Sequence, residues 1–473
     1  MNFEKKKANI SVDKLPKRLV SLDILRGVAI FGVILVHVSY KLFDASWLMD
    51  SFYSGNLSFS PFTWFLIVLL GYFGTWHGFF LFISAIVNSL TFSKKARMEH
   101  DMKKLLKKNV AGGVVIVFIG YLVEGLGYWG YFGTAIRSGD WSNFRPFLSE
   151  NFWIQTLQII GFALIINGFI LFFLLKNEGY KKIKRYILIY VILIFLVLFS
   201  TPFLNDLISN NYIPGWPDIY VVSHYFTFKT MLLNIVIGPK FPLLPFLVSS
   251  FVGTIIGLFL SEPNPKRKGL LYFVLSGLLM IFLGSILIVI GFRFPSLSQK
   301  YHIFTFTTIE NTPSIGSYLV RLGGQIILVM ILLNQIEFRG RGEKVANKKM
   351  VKFFRRWSTL SLTIYSFNIL ELLPRWILSV IIRKSTGINL MKHYVIPKEY
   401  FYLIVFIDFY VLLFYELIIQ ILLKLKMRGS FEWAYVKLLN AFSTIKSNKL
   451  KHDLIQENVY WINYKQETVS YSD

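Results

Sequence analysis

Runs of about twenty predominantly apolar residues recur along this chain, near 20–42, 75–93, 109–131, 152–175, 186–202, 241–261, 270–292, 316–335, 357–381 and 401–423. A helix of that length crosses the ~30 Å hydrocarbon core of a bilayer, and only helices or closed barrels satisfy their own backbone there. The pattern predicts an all-α polytopic membrane protein with about ten transmembrane helices. Composition agrees, since 54% of the residues are hydrophobic and only 16% are charged, against roughly a quarter charged in soluble domains. A further apolar stretch at 61–74 (Pro61 to Gly74) is too short to cross and predicts a re-entrant or interfacial helix.

The net charge of +25 is distributed unevenly. Lys and Arg gather at 1–19, 94–108, 176–185, 266–268, 339–356 and 424–473 and are sparse in the intervening loops. This alternation satisfies the positive-inside rule with both termini cytosolic. It divides the chain into a basic cytosolic arm (1–18), a transmembrane domain (19–424) and a cytosolic tail (425–473). Anchoring at an anionic inner leaflet accounts for the basic excess, so nucleic acid is not expected as a partner. With no cysteine there are no disulfides or thiolate sites, and no histidines or acidic pairs within a span show ligand spacing, so no metal is expected. The first span lacks a small-residue cleavage site and reads as a retained anchor. The expected location is the plasma membrane, as a multi-pass protein.

Ionisable groups inside a span are costly and are functional candidates. The first span carries Asp23 and Arg26 at its entrance and His37 deep inside. Eleven residues are about three helical turns, so Arg26 and His37 share a face roughly 16 Å apart along the axis. His37 is a candidate general base, its alternative being a core histidine bonded to a neighbouring helix. His77, opening the second span, is either a site residue or a histidine solvated at the interface. Glu124 in the third span is a candidate to orient a histidine or bind substrate. Gln155 and Gln158 lie three apart on one face of the fourth span, as donors to a carbonyl or sugar hydroxyl or as interhelical glue. Arg321 and Gln325 are i, i+4 on the eighth span, to grip an anion or to form a structural ion pair with Glu124 or Asp408. Glu371 and Arg375 are an i, i+4 pair read as structural, and Asp408 and Glu416 stay ambiguous.

The pattern from Arg18 through Ser21-Leu-Asp23-Ile-Leu-Arg26-Gly27 to His37 resembles the opening motif of the transmembrane acyltransferase superfamily. Phe79-Phe-Leu-Phe-Ile-Ser84-Ala85 is similar to a second-helix stretch of its acyltransferase-3 branch, with Ala85 where glycine is usual. Gln155-Thr-Leu-Gln158-Ile159, Ser361-Leu-Thr363-Ile-Tyr365 and Gly429-Ser430-Phe-Glu432-Trp433 resemble segments of the heparan-α-glucosaminide acetyltransferase-like and YeiB-like branches. Here Ile159 replaces an arginine and Ser430 a proline. In Asp44-Ala45-Ser46-Trp47 an aspartate stands where the heparan enzyme has its histidine, which shifts weight to His37 or His77.

The resemblance implies transfer of an acyl group, usually acetyl, from cytosolic acyl-CoA to a hydroxyl or amine of an acceptor at the opposite face. The acceptor is a glycan, a lipid-linked molecule or another small molecule. On that view acetyl-CoA or another acyl-CoA is the co-substrate, and Arg18, Asp23 and Arg26 line its site, while Lys94, Lys95, Lys107 and Lys108 either hold its phosphates or, as positive-inside charge favours, anchor the chain at the membrane surface. His37, with His77 and Glu124 as further candidates, carries the chemistry. Gln155, Gln158, Arg321 and Gln325 hold the substrate or the oxyanion. A homodimer is compatible with this reading. The alternatives are a transporter or flippase of a glycolipid or small solute, and a non-catalytic membrane scaffold.

Overall fold

The computed structural model describes residues 19–43, 46, 59–74, 76, 78–97, 101–127, 130–142, 154–177, 179–211, 227–238, 241–294, 314–397 and 400–442. Every named element among them is helical; Phe43 and Ile396 form an isolated bridge. Eight helices are long and apolar enough to cross a membrane. They are α1 (Val20–Leu42), Met102–Ser138 (α4, Met102–Leu126, with the short α5, Tyr131–Ser138), α6 (Thr156–Leu175), α7 (Ile183–Asn211, counted as a span to Ser209), α9 (Leu243–Leu260), α10 (Lys268–Arg293), α11 (Ile315–Ile336) and α16 (Tyr402–Lys424). A ninth is counted if α2 (Pro61–Gly74) and α3 (Phe79–Arg97), bent by 45°, form one span. The short apolar α8 (Phe228–Ile237) precedes α9.

The segment expected as one span at 357–381 is broken. The chain runs instead through α12 (Gly342–Ala346), α13 (Lys349–Thr359), α14 (Ser361–Ser366), a 3-10 turn (Asn368–Glu371) and α15 (Leu372–Thr386). Leu360 and Phe367 leave helical geometry, with φ/ψ of −105°/22° and −91°/30°. Pro374 has no N–H for the carbonyl four residues back, which weakens helix continuity there. The carboxylate of Glu432 accepts hydrogen bonds from the N–H groups of Leu362 (2.8 Å) and Thr363 (3.1 Å), capping α14 from outside. Glu432 belongs to α17 (Phe431–Phe442), so the first helix after the last span packs back on the bundle.

Helix α9 is central: 83% of its apolar window is buried, against 11% for α10. It touches α3, α6 and α7 and is joined to α3, α6 and α11 by small polar contacts. Asn167 Nδ2 donates to Ser250 Oγ at 2.5 Å, Ser261 Oγ to Ser93 Oγ at 2.9 Å, and the backbone N–H of Ser249 to the Tyr318 hydroxyl at 2.9 Å. Lipid supplies no hydrophobic drive between helices, so close packing and such bonds carry association. Helix α10 illustrates the first term, because it packs along α11 through facing glycines: a Cβ on Gly284 would lie 2.5 Å from the Gly316 carbonyl oxygen. Gly323 is part of the same contact, whereas Gly324 has nothing within 4 Å of its Cβ position.

Candidate functional site

Helix α1 carries polar groups at both ends, and the two ends do different things. At its start, Asp23 pairs with Arg355 of α13 (3.5 Å) and Arg26 (3.7 Å), and Arg26 Nε donates to Ser358 Oγ at 2.9 Å. Gly27 lies against the backbone of Phe354. Asp23 and Arg26, expected to line a cofactor site, therefore also clamp α1 to the basic amphipathic helix α13. The Arg26 side chain remains 29% exposed at this end of the bundle.

The first turn of α1 has no capping side chain of its own. Glu337, just past the end of α11, supplies one: its Oε1 accepts from the Ser21 N–H at 2.9 Å. Burial pushes the Glu337 carboxyl up to about 7, outweighing the bonds from Ser21 and Val20 that favour the anion. The folded state thus holds this proton more tightly than the unfolded chain does. The stability it contributes is complete below the ordinary glutamate value and is lost as pH rises through about 7. A Glu337→Gln protein should lack this loss, which is on the order of 3 kcal/mol. Thermal midpoints of the two proteins, compared from pH 5 to pH 8, should diverge in that direction; parallel curves would refute it.

At the other end of α1 a charged cluster is sealed from solvent. Lys41 Nζ donates to Glu371 Oε1 at 2.7 Å and Arg375 Nη1 to the same oxygen at 3.2 Å, with all three side chains at most 2% exposed. Arg375 also donates through Nε to the Leu390 carbonyl at 3.1 Å and through Nη2 to the same oxygen. The segment after α15 returns the contact: the N–H of Tyr394 bonds the Lys41 carbonyl, and those of Val395 and Ile396 bond that of Leu42, each at 3.0 Å. Ser39 Oγ donates to Asp408 Oδ2 at 2.6 Å. His37 lies one turn before Lys41 on the same face, half-buried and within electrostatic reach of Lys41 and Glu371. Among the described residues it has no hydrogen-bonding partner. His393 faces the same cluster. Burial first, and then the positive charges of Arg137, Arg375 and Lys41, hold it down to about 4, so it is neutral at pH 7.

The remaining candidates sit elsewhere. Glu124 is half-buried on α4 beside Tyr365, whose hydroxyl bonds Thr156. Gln158 is fully buried under Gly120, and its Oε1 accepts from the Gln155 N–H at 3.2 Å, so this pair closes the start of α6. Gln158 Nε2 has no partner among the described residues. Antiparallel packing puts Arg321 at the level of His37: each lies sixteen residues from the Ser21–Glu337 contact, about 24 Å along its helix. No ion pair joins the half-buried Arg321 to Glu124 or Asp408 among the described residues, and Gln325 is buried on the same helix. Arg18, His77, Asp44, Ala45 and Trp47 lie outside the described residues. Among the described residues no group of three His, Asp or Glu side chains is arranged to hold a metal.

Comparison with known protein families and with curated proteins finds no match for this chain. Ser21 to Gly27 meets Phe354, Arg355 and Ser358, and Thr363 of Ser361-Leu-Thr363 is held by Glu432 of the tail. Trp357, just before that motif, donates to Glu416 at 2.7 Å.

Sequence reasoning missed Lys41, His393 and Arg137. For Lys41 a signal was present, because it follows His37 by four residues inside the same apolar run. The approach of His393 and Arg137 depends on how the loops return to the bundle, which no local pattern encodes.

Proposed function

We propose that this protein is a membrane-embedded acyltransferase that moves an acyl group, acetyl in the simplest case, from acyl-CoA to an acceptor hydroxyl or amine on the opposite face. The observation that carries this reading is His37: a half-buried imidazole within a span, uncommitted to any described hydrogen bond, one turn from a sealed Lys41–Glu371–Arg375 cluster. By the positive-inside rule the basic end, with Arg26, faces the cytosol and acyl-CoA, and His37 lies toward the far side. The membrane is then the plasma membrane, and the acceptor a glycan or lipid-linked molecule.

In this mechanism His37 takes the acceptor's proton as the acceptor oxygen or nitrogen attacks the thioester carbonyl. The tetrahedral oxyanion collapses, the C–S bond breaks, and the leaving CoA sulfur receives the proton from the imidazolium. The cations beside His37 bias the local potential in favour of the oxyanion.

A His37→Ala protein with an unchanged thermal midpoint should lose at least about a hundredfold in transfer from labelled acetyl-CoA. Full transfer by that variant would overturn the role of His37. Failure of the folded wild type to bind any acyl-CoA, or solute movement without acyl-CoA consumption, would overturn the enzyme reading itself and leave a scaffold or a transporter.

A further inference from the structure

We infer that Glu371 is the positioning residue for His37, with its Oε2 reserved for the ring N–H of the histidine during the reaction; this rests on the acyl-transfer reading above. The Glu371 carboxylate is bonded asymmetrically. Both cations sit on the one oxygen, Oε1, with Lys41 at 2.7 Å and Arg375 at 3.2 Å. The other oxygen, Oε2, is buried and has no hydrogen-bonding partner among the described residues. A carboxylate in this position normally fills both oxygens, because a bare buried acceptor is unfavourable.

The neighbours of Glu371 show what is left to fill Oε2. Lys41 and Arg375 are engaged on Oε1, and Arg375 is further tied to the carbonyl of Leu390. Tyr415 lies within electrostatic reach but donates its hydroxyl to the Phe367 carbonyl at 3.1 Å. Asp408 is held through Oδ2 by Ser39 at 2.6 Å. His37 is the remaining neighbour, one turn from Lys41 on the face of α1 that meets Glu371. A histidine that takes a proton at one ring nitrogen needs its other N–H held, and a fixed carboxylate both sets the tautomer and stabilises the imidazolium. Lys41 and Arg375 keep Glu371 anionic without occupying the oxygen that this task requires. Glu371 closes the 3-10 turn Asn368–Glu371 inside the broken segment 357–381.

The test compares steady-state acyl transfer in Glu371→Asp, in the charge-balanced double variant Glu371→Gln/Lys41→Met, and in His37→Ala. Glu371→Asp keeps every charge but withdraws the carboxylate by one methylene. Its kcat should fall about tenfold with KM for acetyl-CoA unchanged, and that of the double variant about a hundredfold. A purely structural Glu371 would instead lower the thermal midpoint and leave kcat per folded molecule at the wild-type value. That result, with His37→Ala inactive, would overturn the inference while the acyl-transfer reading stands. Should the double variant not fold, Glu371→Asp alone decides. Full transfer by His37→Ala would overturn the reading and the inference together.

Discussion

Lys41→Met should destabilise the protein by about 3–5 kcal/mol, the usual cost of breaking a buried ion pair by removing one partner. Lys41 is 1% exposed, and its ammonium makes the shortest contact to Glu371, 2.7 Å against 3.2 Å for Arg375. Without it, a fully buried carboxylate keeps a single cation among the described residues, which is itself shared with the Leu390 carbonyl. The loss is large relative to the roughly 5–15 kcal/mol that holds a domain folded. The thermal midpoint in detergent should therefore drop by many degrees. The double variant Glu371→Gln/Lys41→Met should recover part of the loss, because the orphaned carboxylate is gone. A midpoint within one degree of wild type for Lys41→Met alone would show that the cluster is not sealed.

Gly27→Ala should be the most damaging small substitution on α1. A Cβ at Gly27 would lie 1.9 Å from the carbonyl oxygen of Phe354 and 2.6 Å from its carbonyl carbon. Both obstacles are backbone, so no rotamer change relieves the overlap, and α1 must part from α13. That movement would loosen Arg26 from Ser358 and Asp23 from Arg355. The expected cost is about 1–3 kcal/mol from overpacking alone, with the ion-pair geometry adding to it. Gly324→Ala is the control. Nothing lies within 4 Å of its Cβ position, so alanine there should be neutral or stabilise by up to about 1 kcal/mol through helix propensity. Equal midpoints for the two alanine variants would contradict the close contact at Gly27.

The His37 end of the molecule was only half legible beforehand. A histidine in an apolar run is conspicuous because its cost is local, and Glu371 and Arg375 were visible as an i, i+4 pair. That pair reads as self-neutralising on paper. In space it gains Lys41, and the three together leave one carboxylate oxygen unfilled. Asp23 and Arg26 show the reverse case: their contacts with Arg355 and Ser358 make them packing groups as much as site groups.

What the sequence determined by itself is the helical, membrane-embedded character of the chain. Long apolar runs leave the backbone no other way to satisfy its hydrogen bonds in hydrocarbon. It also exposed the individual polar residues that such runs tolerate poorly. Tertiary structure supplied what the sequence pattern did not show for 357–381, because the cap from Glu432 that starts α14 reaches Leu362 and Thr363 across some seventy residues of chain. It likewise decided which charges meet. Lys41 and Glu371 are 330 residues apart, and at that separation pairing depends on helix packing, which no local periodicity records.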